Sequence, residues 1–244
     1  MKAIHQAILC AVMGAVLCQA DATQALTVTI YNDDNDNATA GLTRTFEAEG
    51  RIGNRATNGT HETDIGPSTS APAATGQKIW ASGTDYAFSL TYNPTTSQAS
   101  FNVTGASPNP LNYMITDPLL NGFATDTLFL RLFAQDYYND SLRLDQLLLD
   151  GAAVGAQSYS VGNGSGNGSH LNIKLTGSEL LDGFTLTGRA KMTFTSSGGY
   201  PQNSQLAFQL KGIDLVAVPL PGAVWLFGSG MMGILASRAR RLVA

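Results

Sequence analysis

The chain has 244 residues, of which 13% are charged, 43% are hydrophobic and 26 are glycine, and its net charge is −4. Between Leu26 and Val218 there are 17 acidic and 10 basic side chains, a net of −7, so this stretch lacks the clustered cations that nucleic-acid binding needs. Its apolar content excludes a chain disordered throughout, and its many Gly, Ser, Thr and Asn suit strands joined by polar turns.

The first 25 residues read as a secretory signal. Lys2 and His5 form a basic start, Ala7 to Leu17 is an uncharged run, and small residues follow. Cleavage after Ala20, Ala22 or Ala25 fits this pattern. Cys10 and Cys18, the two cysteines of the chain, both lie inside the signal. Bulky residues precede each, which argues against a lipidation site. After cleavage the body has no disulfide, no thiolate metal site and no cysteine nucleophile. It must therefore hold together by its core alone, and its length permits one.

Residues 26–214 read as one all-β body, an antiparallel, jelly-roll-like β-sandwich of about nine to eleven strands. Leu26, Val28 and Ile30 alternate with Thr27, Thr29 and Tyr31. Directly after them, Asp33, Asp34 and Asp36 form an acidic turn with Asn35 and Asn37. These oxygens could ligate Ca²⁺, but the spacing is not that of an EF-hand: Ala38 replaces the central Gly and Arg44 the final Glu. A solvated turn is the competing reading, and no other cofactor is implied.

Further along, Phe88, Leu90 and Tyr92 alternate with polar residues up to Asn93-Pro94-Thr95-Thr96, and Phe101 and Val103 resume the pattern, which predicts a hairpin. Thr127 to Phe133 is apolar on both faces except Arg131, as expected of a central strand. Gly162 to Ser169 is a glycine-rich loop, Pro67 to Gly76 an irregular segment, and Ser178 to Leu181 a short helix. Gly188 interrupts the apolar face of the run Phe184 to Phe194, which marks a bulge.

Few residues suggest catalysis. His61 and His170 are the histidines of the body, and no nucleophile–base spacing, G-x-S-x-G, H-E-x-x-H or P-loop accompanies them. The chain is therefore read as not an enzyme. Trp80, Tyr86, Tyr92, Tyr113, Tyr137 and Tyr138 offer stacking platforms for sugar rings if exposed, and core residues if not.

Leu215 to Ala236 is a run of 22 uncharged residues followed by Arg238, Arg240 and Arg241. It requires a bilayer or a core, and the arginines place its end in the cytoplasm. Pro219 and Pro221 bar helix at its entrance, leaving about Pro221 to Ser237. At ~1.5 Å per residue this is roughly 25 Å, short of a ~30 Å hydrocarbon core. Residues 215–244 thus form a short transmembrane helix behind a stiff hinge.

Val218-Pro219-Leu220-Pro221, the following Val224 to Gly230 and the arginine cluster resemble the PEP-CTERM bacterial sorting signals, in the variant called VPLPA-CTERM. Gly222 stands where that pattern has Ala. The resemblance implies an exosortase-type membrane protease as partner, transient insertion in the inner membrane and delivery to the cell surface or beyond. It also implies a link to exopolysaccharide and biofilm in Gram-negative bacteria. An ordinary single-pass anchor is the competing reading.

Glu49 to Asn54, Trp80 and Phe88 to Tyr92 resemble the choice-of-anchor domains that precede surface anchors. The expected function is a structural or interaction protein of the cell surface or matrix, with extracellular polysaccharide as a further partner. A carbohydrate-binding module and a secreted hydrolase are the alternatives.

Overall fold

A computed structural model describes residues 26–31, 43–53, 62–116, 125–135, 140–162, 169–195 and 205–214. The signal, Asp33, Asp34, Asp36, His61, Tyr137, Tyr138 and residues 215–244, with Val218, Pro219, Leu220, Pro221, Arg238, Arg240 and Arg241, lie outside them. Among the described residues no helix is long and apolar enough to cross a membrane.

The described chain is all-β. Its strands are β1 Thr27–Tyr31, β2 Thr43–Arg51, β3 Thr63–Gly66, β4 Ala74–Gly76, β5 Asp85–Asn93, β6 Gln98–Val103 and β7 Leu111–Met114. They continue as β8 Thr127–Ala134, β9 Ser141–Leu149, β10 Ala152–Ala153, β11 Ser158–Gly162, β12 His170–Thr176, β13 Phe184–Thr193 and β14 Leu206–Asp214. A 3-10 turn at Ser178–Leu180 is where a short helix is expected. Pro67 to Gly76 departs from the expectation of an irregular segment: β4 occupies its end, paired to β3. Three residues are too few for the alternation that reveals a strand in a sequence.

Two antiparallel sheets result. The first runs β1-β12-β8-β14-β2-β3-β4, and the second β10-β9-β13-β5-β6-β7, with β11 also on β9. As its two apolar faces demand, β8 is central, between β12 and β14. The predicted hairpin is β5–β6, whose Asn93 Oδ1 accepts from the Thr95 and Thr96 amides at 2.9 and 3.3 Å.

One apolar core joins the sheets. Phe208 of the first sheet meets Phe88 of the second at 5.1 Å between centroids, and Phe46 meets Tyr92 at 5.4 Å. Alternation puts these residues inside: along β2, Phe46, Ala48 and Gly50 point inward, so Thr45, Glu47, Glu49 and Arg51 point out. Trp80 is buried as well, with edge contacts to Tyr86 and Phe208 and its Nε1–H donated to the Arg51 carbonyl at 2.9 Å.

Candidate functional site

Each sheet presents one polar feature on its outer face. On the first sheet this is an ionic network along β2. Glu47, Glu49 and Asp64 are buried carboxylates. Lys211 Nζ lies 3.4 Å from Glu47, which Arg44 and the Thr69 amide also bond. Arg51 bridges Glu49 at 2.6 Å and Asp64 at 3.2 Å. The strands set this up by register, since Lys211 is the partner of Glu47 and Asp64 that of Glu49.

Burial raises the Asp64 carboxyl to about 7, helped by the neighbouring charge of Glu49, against the opposing pull of Arg51. Burial likewise raises Glu49. A shifted carboxylate of this kind often marks a site. Here three cations face three anions, so each charge has an opposite neighbour, but neither buried Asp64 oxygen has a hydrogen-bond partner among the described residues. Among the described residues no group of His, Cys, Asp or Glu is placed to hold a metal.

Of the two readings of the aromatic residues, the core one holds for three. Trp80, Tyr92 and Tyr113 are core residues, because they fall on inward positions or under the sheet edge. Tyr86 is half-buried, and Lys78 Nζ sits 3.5 Å from its ring centre. None of the four offers a free face for a sugar. His170 lies on β12 with its ring 4.6 Å from Phe133 and its Nδ1 3.1 Å from the Ser169 hydroxyl.

On the second sheet the outer face carries a groove of about 340 Å³ across β9, β13, β5 and β6. A bulge forms it. Between Thr187 and Arg189 the pairing of β13 with β9 shifts, so that Gln146 and Leu147 together face Gly188. The expected bulge is thus at Gly188, with the extra residue on the neighbouring strand. Gln146 takes a left-handed conformation, φ 54°, and its amide donates to the Gln157 carbonyl at 2.8 Å. Gly188 has no room for a side chain, since a Cβ would stand 2.7 Å from Leu147 Cδ2 and 2.8 Å from the Phe88 ring. Bulges bend and twist a strand, and here the bend hollows the sheet.

Hydroxyls and amides line the hollow: Ser89, Asn102, Thr104, Gln146 and Thr187, with Arg189 at one end. Ala87 and Leu148 supply a small apolar floor. Beyond Arg189 lie Asp145, held by Arg143 at 2.6 Å, and Asp85, 3.8 Å from Lys191 and 3.9 Å from Arg143. Arg189 itself makes no ion pair among the described residues. Alternation alone puts these polar residues on an outer face. What brings Gln146 into line with Thr187 and Asn102 is long-range register, which the sequence does not display.

Compared with known protein families and with curated proteins, the chain has no match.

Proposed function

We propose that this chain is an exported, non-enzymatic protein of the cell surface or extracellular matrix, delivered by its C-terminal segment. The observation that carries the reading is the order Val218-Pro219-Leu220-Pro221, uncharged run, Arg238, Arg240 and Arg241. In this reading an exosortase-type protease takes the proline motif from the membrane and releases the body. The body is then a jelly-roll-like sandwich that acts by contact. Its packed core without cysteine supports a role outside the cell that does not depend on disulfides. The polar groove supports an interaction role, with extracellular polysaccharide as a partner class.

Intact mass spectrometry of the protein recovered from the cell surface tests the reading. The expected mass lacks the residues up to Ala20, Ala22 or Ala25 and lacks the arginine cluster. A recovered protein that still ends at Ala244 makes the tail a plain anchor.

A further inference from the structure

We infer that the groove on the second sheet binds a carboxylate-bearing sugar unit of an acidic polysaccharide, with Arg189 as the carboxylate partner. The inference rests on the body being an interaction domain and stands apart from any processing of the tail.

Size, charge and donor pattern each narrow the ligand. A hollow of about 340 Å³ falls at the lower end of small-ligand sites, room for one or two sugar rings. Its end toward Arg189 holds three cations, Arg143, Arg189 and Lys191, against two carboxylates, Asp85 and Asp145. Both carboxylates are engaged by Arg143 or Lys191, which leaves the Arg189 fork for an outside anion. This local excess of positive charge sits on a body whose net charge is −7 between Leu26 and Val218, so it draws an anion to one place. A guanidinium matches a carboxylate with two parallel hydrogen bonds.

The rest of the hollow favours a sugar over a peptide. The groove lies in the middle of a sheet, where β13 and β5 have strands on both sides, so no free backbone edge is present to pair an extended peptide. No deep apolar pocket is there to anchor a side chain. Ser89, Thr104 and Thr187 can each donate and accept, and Asn102 and Gln146 carry an amide apiece, a set suited to a ring of hydroxyls. The left-handed Gln146 fits the same use, because a strained residue at a bulge aims its side chain where a regular strand would not.

Isothermal titration of the full chain in detergent micelles with trigalacturonate, maltotriose and tetraglutamate tests this. Trigalacturonate is expected to bind, more weakly as salt rises, and Arg189→Gln to weaken it about tenfold while Arg189→Lys keeps part of the affinity. Lys174→Gln, on β12 of the other sheet, is expected to change nothing. Arg189 is exposed, so its replacement leaves the core intact, and an unchanged melting temperature verifies that. No heat with trigalacturonate overturns the inference, as does binding that Arg189→Gln leaves unaltered. Equal binding of maltotriose overturns the acidic preference, and equal binding of tetraglutamate overturns the sugar.

Discussion

The ring of Phe208 lies over Gly50, its register partner on the neighbouring strand: a Cβ on Gly50 would stand 2.5 Å from the ring. The same strand pair repeats the device in reverse, with the Phe46 ring over Gly212, where a Cβ would stand 2.4 Å away. Each glycine makes room for an aromatic ring that then covers its bare backbone. Gly50→Ala and Gly212→Ala are each expected to destabilise the fold by about 1–3 kcal/mol through overpacking. Urea unfolding checks this, and Gly50→Ala combined with Phe208→Leu is expected to recover part of the loss.

Asp64 gives the fold a pH dependence of unusual sign. Its carboxyl titrates at about 7 in the folded protein, against an ordinary value of 3.8, so the folded state holds the proton more tightly. A native state that binds more protons gains stability as pH falls. The gain from Asp64 begins as pH drops through about 7 and is complete near 3.8. Glu49 is shifted in the same direction. Asp64→Asn is expected to stabilise the protein at pH 8 by roughly 1–4 kcal/mol and to flatten the profile between those limits. Thermal melts of both proteins across that range measure it.

The pair Lys211–Glu47 is buried on both sides. Removing the cation alone strands a buried carboxylate, so Lys211→Met is expected to cost about 3 kcal/mol. That is the lower end of the usual cost, because Arg44 and the Thr69 amide still bond Glu47. Glu47→Gln with Lys211→Met is expected to cost less than the two single changes summed, and a double-mutant cycle reads the coupling.

Gln146 carries a left-handed backbone at φ 54°. Gln146→Gly removes that strain and is expected to raise stability by about 0.5–1 kcal/mol, whereas Gln146→Val, stiff at its branched Cβ, lowers it. Guanidinium unfolding of the two variants shows the split. Loss of stability in Gln146→Gly contradicts a strained bulge.

Local pattern carried much of this architecture, and long-range pairing carried the remainder. The β5–β6 hairpin, the central β8 and the bulge at Gly188 were legible because each depends on a few neighbouring residues. Leu171, Ile173 and Leu175 of β12 alternate equally well, but the strand follows directly on the glycine-rich loop, whose composition hides its start. Asp150-Gly151, both at positive φ, mark the tight turn from β9 to β10, and Asp-Gly is a local signal for such a turn. Glu47, Glu49 and Arg51 recur at every second position, so a shared face could be inferred. Their partners Lys211 and Asp64 could not, because they come from other strands. The groove is the extreme case, since four strands must be in register before it exists. The aromatic residues stayed open between surface and core for a related reason: residue type does not reveal which way a side chain points near a sheet edge.

The last strand among the described residues, β14, is not an edge strand. It lies between β8 and β2, so the first sheet stays in two pieces until residue 214 is free to enter. Whatever pairs earlier, β2 and β8 have no strand between them until Leu206–Asp214 docks, so the closing of this sheet waits on contacts between distant parts of the chain.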